Sequence, residues 1–317
     1  MREKFAYAFL LATFFISGVL LGHYKPELFA TPLSYLKTAL SDDKNSFYEE
    51  SITRLNQKFK KGSCASNNQG YSFFVAGHVY GTPGTSYEGF YKPFKNNMVL
   101  KNCSDMPLGF LLGDAVVEAS NYEFNILQDE IKSLGNDTKV HISPGNHEVG
   151  TGPYNAKRDL YIKNFGKTFK FFRYESDLFI LLDANSHYWN ILDNQLQMLK
   201  DLSLKKAEYR NVFIFSHQVI WADSNNKRFS RLITNSKEGK AEKLNFWNDV
   251  FPLIKDLGKN VFFFSGDVGA FDNDSEFFYD NISNVDFFAT GMGGGKRDNF
   301  LILHVNQGNV EIELIEF

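Results

Sequence analysis

Five continuously apolar runs recur along the chain at Ser72–Ala76, Leu108–Leu112, Phe179–Leu182, Val212–Phe215 and Val261–Phe264. Runs that are apolar at every position suit strands buried on both faces, which predicts a sheet covered by helices on both sides. Helical stripes lie between them. Phe124, Leu127, Ile131 and Leu134 share one face, as do Leu192, Leu196, Leu199 and Leu202. Leu244, Trp247, Phe251, Ile254 and Leu257 make a third stripe, which Pro252 should kink or shorten. The chain ends in two alternating runs, Phe300–Val305 and Val310–Ile315, joined through Gly308-Asn309, a hairpin pattern. The fold class expected is α/β, layered, with a mixed β-sheet core flanked by helices.

The first 69 residues read differently. Arg2 and Lys4 precede an apolar run from Phe5 to Gly22, which predicts a signal anchor, with a cleaved signal peptide as the alternative. Positive charge ahead of the run places the N-terminus in the cytoplasm and the rest of the chain outside. The expected localisation is the cell membrane, single-pass with an exported C-terminal domain, or else secreted or periplasmic. Residues 23–69 read as a stem. Asp42-Asp43-Lys44-Asn45 suggests a helix break, and Phe47 to Phe59 suggests a helix with Ile52, Leu55 and Phe59 on one face. The expected organisation is 1–22 membrane segment, 23–69 stem and 70–317 folded domain.

Composition narrows the partners. The chain has 317 residues and a formal net charge of −3, with no basic patch, so nucleic acid is excluded as a primary partner. Aromatic content is 16%, driven by 33 Phe, and reads as core packing. Cys64 and Cys103 either pair in an oxidising compartment or remain as two buried thiols.

The chemistry sits at strand ends. His141-Ile-Ser-Pro-Gly-Asn-His-Glu148 runs from an apolar stretch into an amide, an imidazole and a carboxylate at three consecutive positions. Gly113-Asp114 follows one apolar run and Ser216-His217 follows another. Open α/β sheets bind ligands at such strand ends. A GDSL-type esterase is unsupported because Ala115 follows Gly113-Asp114 where a serine nucleophile is needed, and no Gly-x-Gly-x-x-Gly marks a dinucleotide site.

The order of these motifs resembles the calcineurin-like metallophosphoesterases over roughly residues 70 to 317, whose pattern is Asp-x-His, Gly-Asp, Gly-Asn-His-Glu/Asp, a lone His, then Gly-His-x-His. Leu181-Leu182-Asp183 with Gln195-Leu196 resembles that family's mid-chain strand and helix, and Thr290-Gly-Met-Gly-Gly-Gly295 its late glycine turn. Two positions depart from the pattern. The first motif reads Ala76-Gly77-His78, and the last reads Gly266-Asp267-Val268-Gly269. The resemblance implies that one metal position retains only His78 and Asp114. It implies that the other is held by Asp114, Asn146, His217 and Asp267. One divalent ion is therefore expected rather than two. The oxygen-rich donor set suits Mn²⁺, Fe²⁺ or Mg²⁺ better than Zn²⁺.

The resemblance further implies that His147 is not a ligand but the general acid toward the leaving group, a role that suits imidazole. Glu148 is expected either to hydrogen-bond that imidazole or to sit exposed in the turn. His187 reads as a surface-loop histidine and Asp272 and Asp274 as turn residues, with a place near the site as the alternative for each, and Gly293–Gly295 reads equally as a tight turn or as N–H groups for phosphate. His141 and His304 read as packed core residues and His23 as solvated beside the membrane. The function implied is metal-dependent hydrolysis of a phosphate ester, on a phosphorylated small molecule or glycan, in the cell envelope. The alternative is a catalytically degenerate module that binds a metal or phosphorylated glycan for envelope or polysaccharide assembly.

Overall fold

A computed structural model describes residues 30–62, 70–84, 88–101, 106–135, 138–205, 209–222, 226, 228–237, 240–271 and 276–317. The apolar run 5–22 with Arg2, Lys4 and His23, the two cysteines, Asp272 and Asp274 lie outside the described residues. No helix among the described residues is long and apolar enough to cross a membrane.

The chain divides into two compact units, Met1–Phe47 and Tyr48–Phe317. In the first, the described part is helical from Ala30. The helix α1 (Ala30–Lys58) is continuous through the Asp42–Asn45 segment that reads as a break. That segment holds neither Gly nor Pro, and Asp and Asn inside a helix cost only tenths of a kcal/mol each.

The second unit carries two mixed sheets. In the first sheet the order is β11 (Asn309–Glu316), β10 (Asn299–Asn306), β1 (Gly70–Ala76), β2 (Leu108–Leu111) and β3 (Lys139–Ile142). In the second it is β4 (Lys170–Tyr174), β5 (Asp177–Leu181), β6 (Asn211–Ser216), β7 (Asn260–Ser265), β9 (Val285–Thr290) and β8 (Phe277–Ile282). Strands β1 to β3 run parallel, as do β5, β6, β7 and β9, whereas β4 and β8 close the second sheet as antiparallel edges. The terminal hairpin pairs Phe300 with Ile315 and Val305 with Val310, as its alternation predicts.

The apolar runs have a different cause from the one expected. One face of each strand meets the other sheet, and only the opposite face meets helices. Phe73, Phe110, Phe179, Phe213, Phe215, Phe262 and Phe264 belong to one buried cluster shared by the two sheets. Phe110 of the first sheet stacks on Phe215 of the second with ring centroids 4.0 Å apart and planes within 5°. Outside the first sheet, α2 (Lys92–Lys101), α3 (Asn121–Ser133) and α5 (Ala156–Phe165) bury Phe94, Phe124 and Tyr161 against Phe74, Leu111 and Phe300. Outside the second lie α6 (Asp193–Ser203), a wide turn at Phe246–Val250 and α7 (Phe251–Lys255), the interruption falling at Pro252 as expected. A four-residue α4 (Asn146–Val149) follows β3.

Packing of the second unit begins upstream of β1. Tyr48 and Leu55 join the shared cluster, with Ile52 and Phe59 against it, so the expected stripe faces the core. Phe59 touches the rings of Phe262, Tyr279 and Phe288 at 6.0, 5.8 and 6.1 Å between centroids.

Candidate metal centre

The carboxyl ends of the parallel strands of both sheets converge at one rim. His78 follows β1, Asp114 follows β2, Asn146 and His147 open α4 after β3, His217 follows β6 and Asp267 follows β7. The two sheets are joined here by hydrogen bonds that cross between them. Ser143 Oγ donates to Leu182 O at 2.7 Å and Asn185 Nδ2 to Pro144 O at 2.8 Å.

The rim is tightly drawn. Gly113 has φ +71, and a Cβ there would lie 2.5 Å from Gly145 N and 2.6 Å from the His217 ring. Asp114 (φ +48) and His78 (φ +56) both adopt the left-handed conformation that non-glycine residues seldom take. Such strain is held where the surroundings over-determine it, typically at functional sites.

Three imidazoles are aimed the same way. Each gives its Nδ1–H to a backbone carbonyl: His217 to Leu112 O at 2.7 Å, His78 to Met292 O at 2.8 Å and His147 to Val117 O. These acceptors fix the tautomer and leave each Nε2 free to face inward. All three Nε2 atoms point at one oxygen, Asp114 Oδ2, at 3.3 Å from His217, 3.9 Å from His78 and 4.0 Å from His147. The other oxygen, Asp114 Oδ1, accepts the backbone N–H of His147 at 3.3 Å. Asp267 Oδ1 stands 3.7 Å from His217 Nε2. His78, Asp114, His217 and Asp267 are all buried, and His147 is partly exposed.

Donors of Asp114, His217 and Asp267 lie within 4.8 Å of one another. Among the described residues His217 Nε2 is buried without a hydrogen-bond partner, although carboxylate oxygens lie 3.3 and 3.7 Å away. Two buried carboxylates and an inward-facing imidazole lone pair fit a divalent cation, which would neutralise charges that are otherwise expensive to bury. Without one, His217 takes up a proton instead, and the carboxylates stabilise it there. Burial alone disfavours the His217 imidazolium, but Asp114 and then Asp267 outweigh it and push its pKa up to about 10. Burial also raises the Asp114 carboxyl, yet His217 foremost, with His147 and His78, holds it well below the usual carboxylate range. For His78 burial wins over the attraction of Asp114 and lowers the pKa to about 4, so that ring is neutral.

Asn146 is half-buried at the start of α4, beside this group in the chain. The position left by the altered motifs is closed by packing. Ala76 is buried in the apolar cluster between the first sheet and its helices, and a Cβ on Gly269 (φ +85) would lie 2.9 Å from the Gly291 carbonyl carbon.

Glu148 takes neither of its expected places. It is fully buried and contacts no imidazole among the described residues. Its Oε1 accepts the backbone N–H groups of Ala115 (2.7 Å) and Val116 (3.0 Å), and its Oε2 those of Asp114 (2.9 Å) and Gly145 (2.7 Å). The glycine turn is also spoken for, because Gly293, Gly294 and Gly295 all give their N–H groups to Asp298, at 3.0, 2.8 and 3.1 Å. His187 lies between Asp193, 3.0 Å from Nε2, and Ser186, 3.1 Å from Nδ1. Asp183 and Gln195 do come together, with Asp183 N donating to Gln195 Oε1 at 2.8 Å and Gln195 Nε2 to Asp183 O at 2.9 Å. Asp183 is further held by the buried Arg158, whose part no sequence pattern signalled. A cavity of about 340 Å³ bounded by Tyr71, Tyr174, Asp177 and Arg210 lies at the opposite, amino ends of β1, β5 and β6 and shares no residue with the centre.

No family model matches the chain, and no curated protein matches it. Solved structures do. A purple acid phosphatase from yellow lupin (Lupinus luteus) seeds superposes with a TM-score of 0.54 at 14% identity, covering 80% of this chain and 52% of its own. The chain therefore spans about half the length of that enzyme. A Vps29 single mutant from Entamoeba histolytica aligns over 78% of this chain and 99% of its own at 10% identity, with a TM-score of 0.32. The fold is that of the calcineurin-like metallophosphoesterases, as the motif order implies, and it brings Asp114, His217 and Asp267 together at the rim where a metal site is expected.

Proposed function

We propose that the protein is a phosphoesterase that works with one divalent metal ion. The observation that carries this reading is the convergence of three carbonyl-anchored imidazoles on Asp114 Oδ2, with Asp267 beside them. Asp114, His217 and Asp267 would hold the ion, with Asn146 as a fourth donor and His78 at the edge of the group. When bound, such an ion supplies an activated water and a Lewis acid for phosphoryl oxygens. The remaining work belongs to side chains of the chain itself. His147 is the one partly exposed imidazole of the three, and Val117 O orients its ring. As the imidazolium, with its Nδ1 proton hydrogen-bonded to Val117 O, it passes the Nε2 proton to the leaving oxygen as the P–O bond breaks, while the attacking water bonds to phosphorus and gives up a proton to solvent. Glu148 keeps the Asp114 and Gly145 loops at fixed separation. The substrate is a phosphorylated small molecule or glycan, and a place in the cell envelope rests on the apolar run 5–22.

The test uses the full-length protein with an aryl phosphate and Mn²⁺. Hydrolysis is expected, with loss on chelation and about one ion per chain by elemental analysis. Asp114→Ala should lose metal and activity together, whereas His147→Ala should keep the metal and turn over roughly a hundredfold more slowly. Hydrolysis that survives chelation defeats the proposal. Metal bound through Asp114 and Asp267 without hydrolysis of any ester favours the binding module, a reading that the closed positions at Ala76 and Gly269 support.

A further inference from the structure

Beside the three imidazoles lies a side chain that none of the motifs includes. Tyr80 is 4% exposed, two residues beyond His78. Its backbone N–H reaches Asp114 O at 3.4 Å, which ties it to the loop that carries the central carboxylate. Its ring lies against His78, 4.3 Å between centroids, and against His147, 5.3 Å away, tilted by 45° and 43°. It thus packs against both outer imidazoles that face Asp114 Oδ2. Its hydroxyl is bonded to no described residue and is not one of the buried polar atoms left unpaired, so it keeps contact with solvent.

A tyrosine with a packed ring and a wet tip at the edge of a site can offer that tip to a ligand. Packing alone would be served as well by phenylalanine, which fills most of this core. The hydroxyl instead adds a further donor to a site lined by carboxylates and imidazoles, where an incoming anion needs donors.

We propose that Tyr80 is a substrate-contacting residue whose neutral hydroxyl donates a hydrogen bond to a non-bridging oxygen of the bound phosphoryl group. The inference rests on the phosphoesterase reading for the identity of the ligand. It assigns the phenol part of the charge stabilisation that the missing donors at Ala76 and Gly269 do not supply. No proton leaves the phenol; it donates to the ground state and more strongly as charge builds on the oxygen.

Tyr80→Phe keeps the ring and removes only the donor. In the full-length protein loaded with Mn²⁺, orthophosphate binding by calorimetry and kcat/KM on an aryl phosphate are compared with wild type. Both should fall roughly ten- to a hundredfold, the range of a hydrogen bond to a charged group. Metal content should not change, and the melting temperature should stay level or rise, because no protein hydrogen bond is lost. Unchanged phosphate binding and unchanged turnover overturn the proposal. So does a clear drop in melting temperature with unchanged phosphate binding, which would reveal a protein partner for the hydroxyl. Weakened phosphate binding in a protein whose wild type hydrolyses no ester upholds Tyr80 as an anion donor while the enzymatic reading fails. A wild type that neither binds orthophosphate nor hydrolyses an ester overturns both.

Discussion

Glu148 joins two loops through its two oxygens, accepting four backbone N–H groups at 2.7 to 3.0 Å. A carboxylate meets all four donors; an amide cannot, because its NH₂ would face N–H groups. Glu148→Gln should therefore cost about 2–4 kcal/mol through unsatisfied buried donors and let Asp114 drift. Chemical denaturation and metal titration check this, and an unchanged variant would mean that the clamp is not structurally important. Asp114, His217 and Asp267 were readable in advance because strand-end motifs carry both residue type and order. The role of Glu148 was not, since a carboxylate beside an imidazole reads as its partner until backbone directions are known. Tyr80 and Arg158 were hidden for a related reason: each acts through a contact distant in sequence, with no motif around it.

Among the elements, the apolar strands identify themselves but not what covers them. Phe110 and Phe215 look alike in sequence whether they meet a helix or another sheet, and periodicity alone does not separate the two cases. Their stacked contact joins β2 to β6, the strands that deliver Asp114 and His217. Phe110→Ala should cost about 3–5 kcal/mol as a large core truncation. It should also reduce metal affinity more than Phe124→Ala, which empties the helix-facing side of the same sheet. Equal metal affinity in the two variants would show that the sheet-to-sheet contact does not position the site. The strands β4, β8 and β9 escaped notice. β4 is a half-exposed edge whose apolar pattern is broken by Lys170 and Arg173, and β8 and β9 follow the last recognised run without a turn signal as plain as Gly308-Asn309.

The stability of the whole second unit should depend on pH through a group remote from the chemistry. His141 on β3 lies between Phe110 and Phe172, with centroids 5.6 and 4.4 Å away, and its Nε2 has no hydrogen-bond partner among the described residues. Burial, with the charges of Lys170 and Lys139, lowers its pKa to about 3. The unfolded chain takes up that proton near pH 6.5, whereas the folded chain refuses it until about pH 3. Its contribution is thus fully present above pH 6.5 and is lost as pH falls from there toward 3, at up to about 1.4 kcal/mol per pH unit. His141→Phe should flatten that acid slope, read from urea melts at pH 7 and pH 4.5; parallel slopes in the two proteins would assign the loss elsewhere. The closed position beside the candidate centre has a historical meaning as well. An aspartate at Ala76 would bury a charge in an apolar cluster unless a cation were already there. A histidine at Gly269 would have to accept φ +85 and displace the Gly291 backbone. The two costs are of different kinds, one a buried charge and the other a displaced backbone, so regaining both ligands asks for two separate structural adjustments.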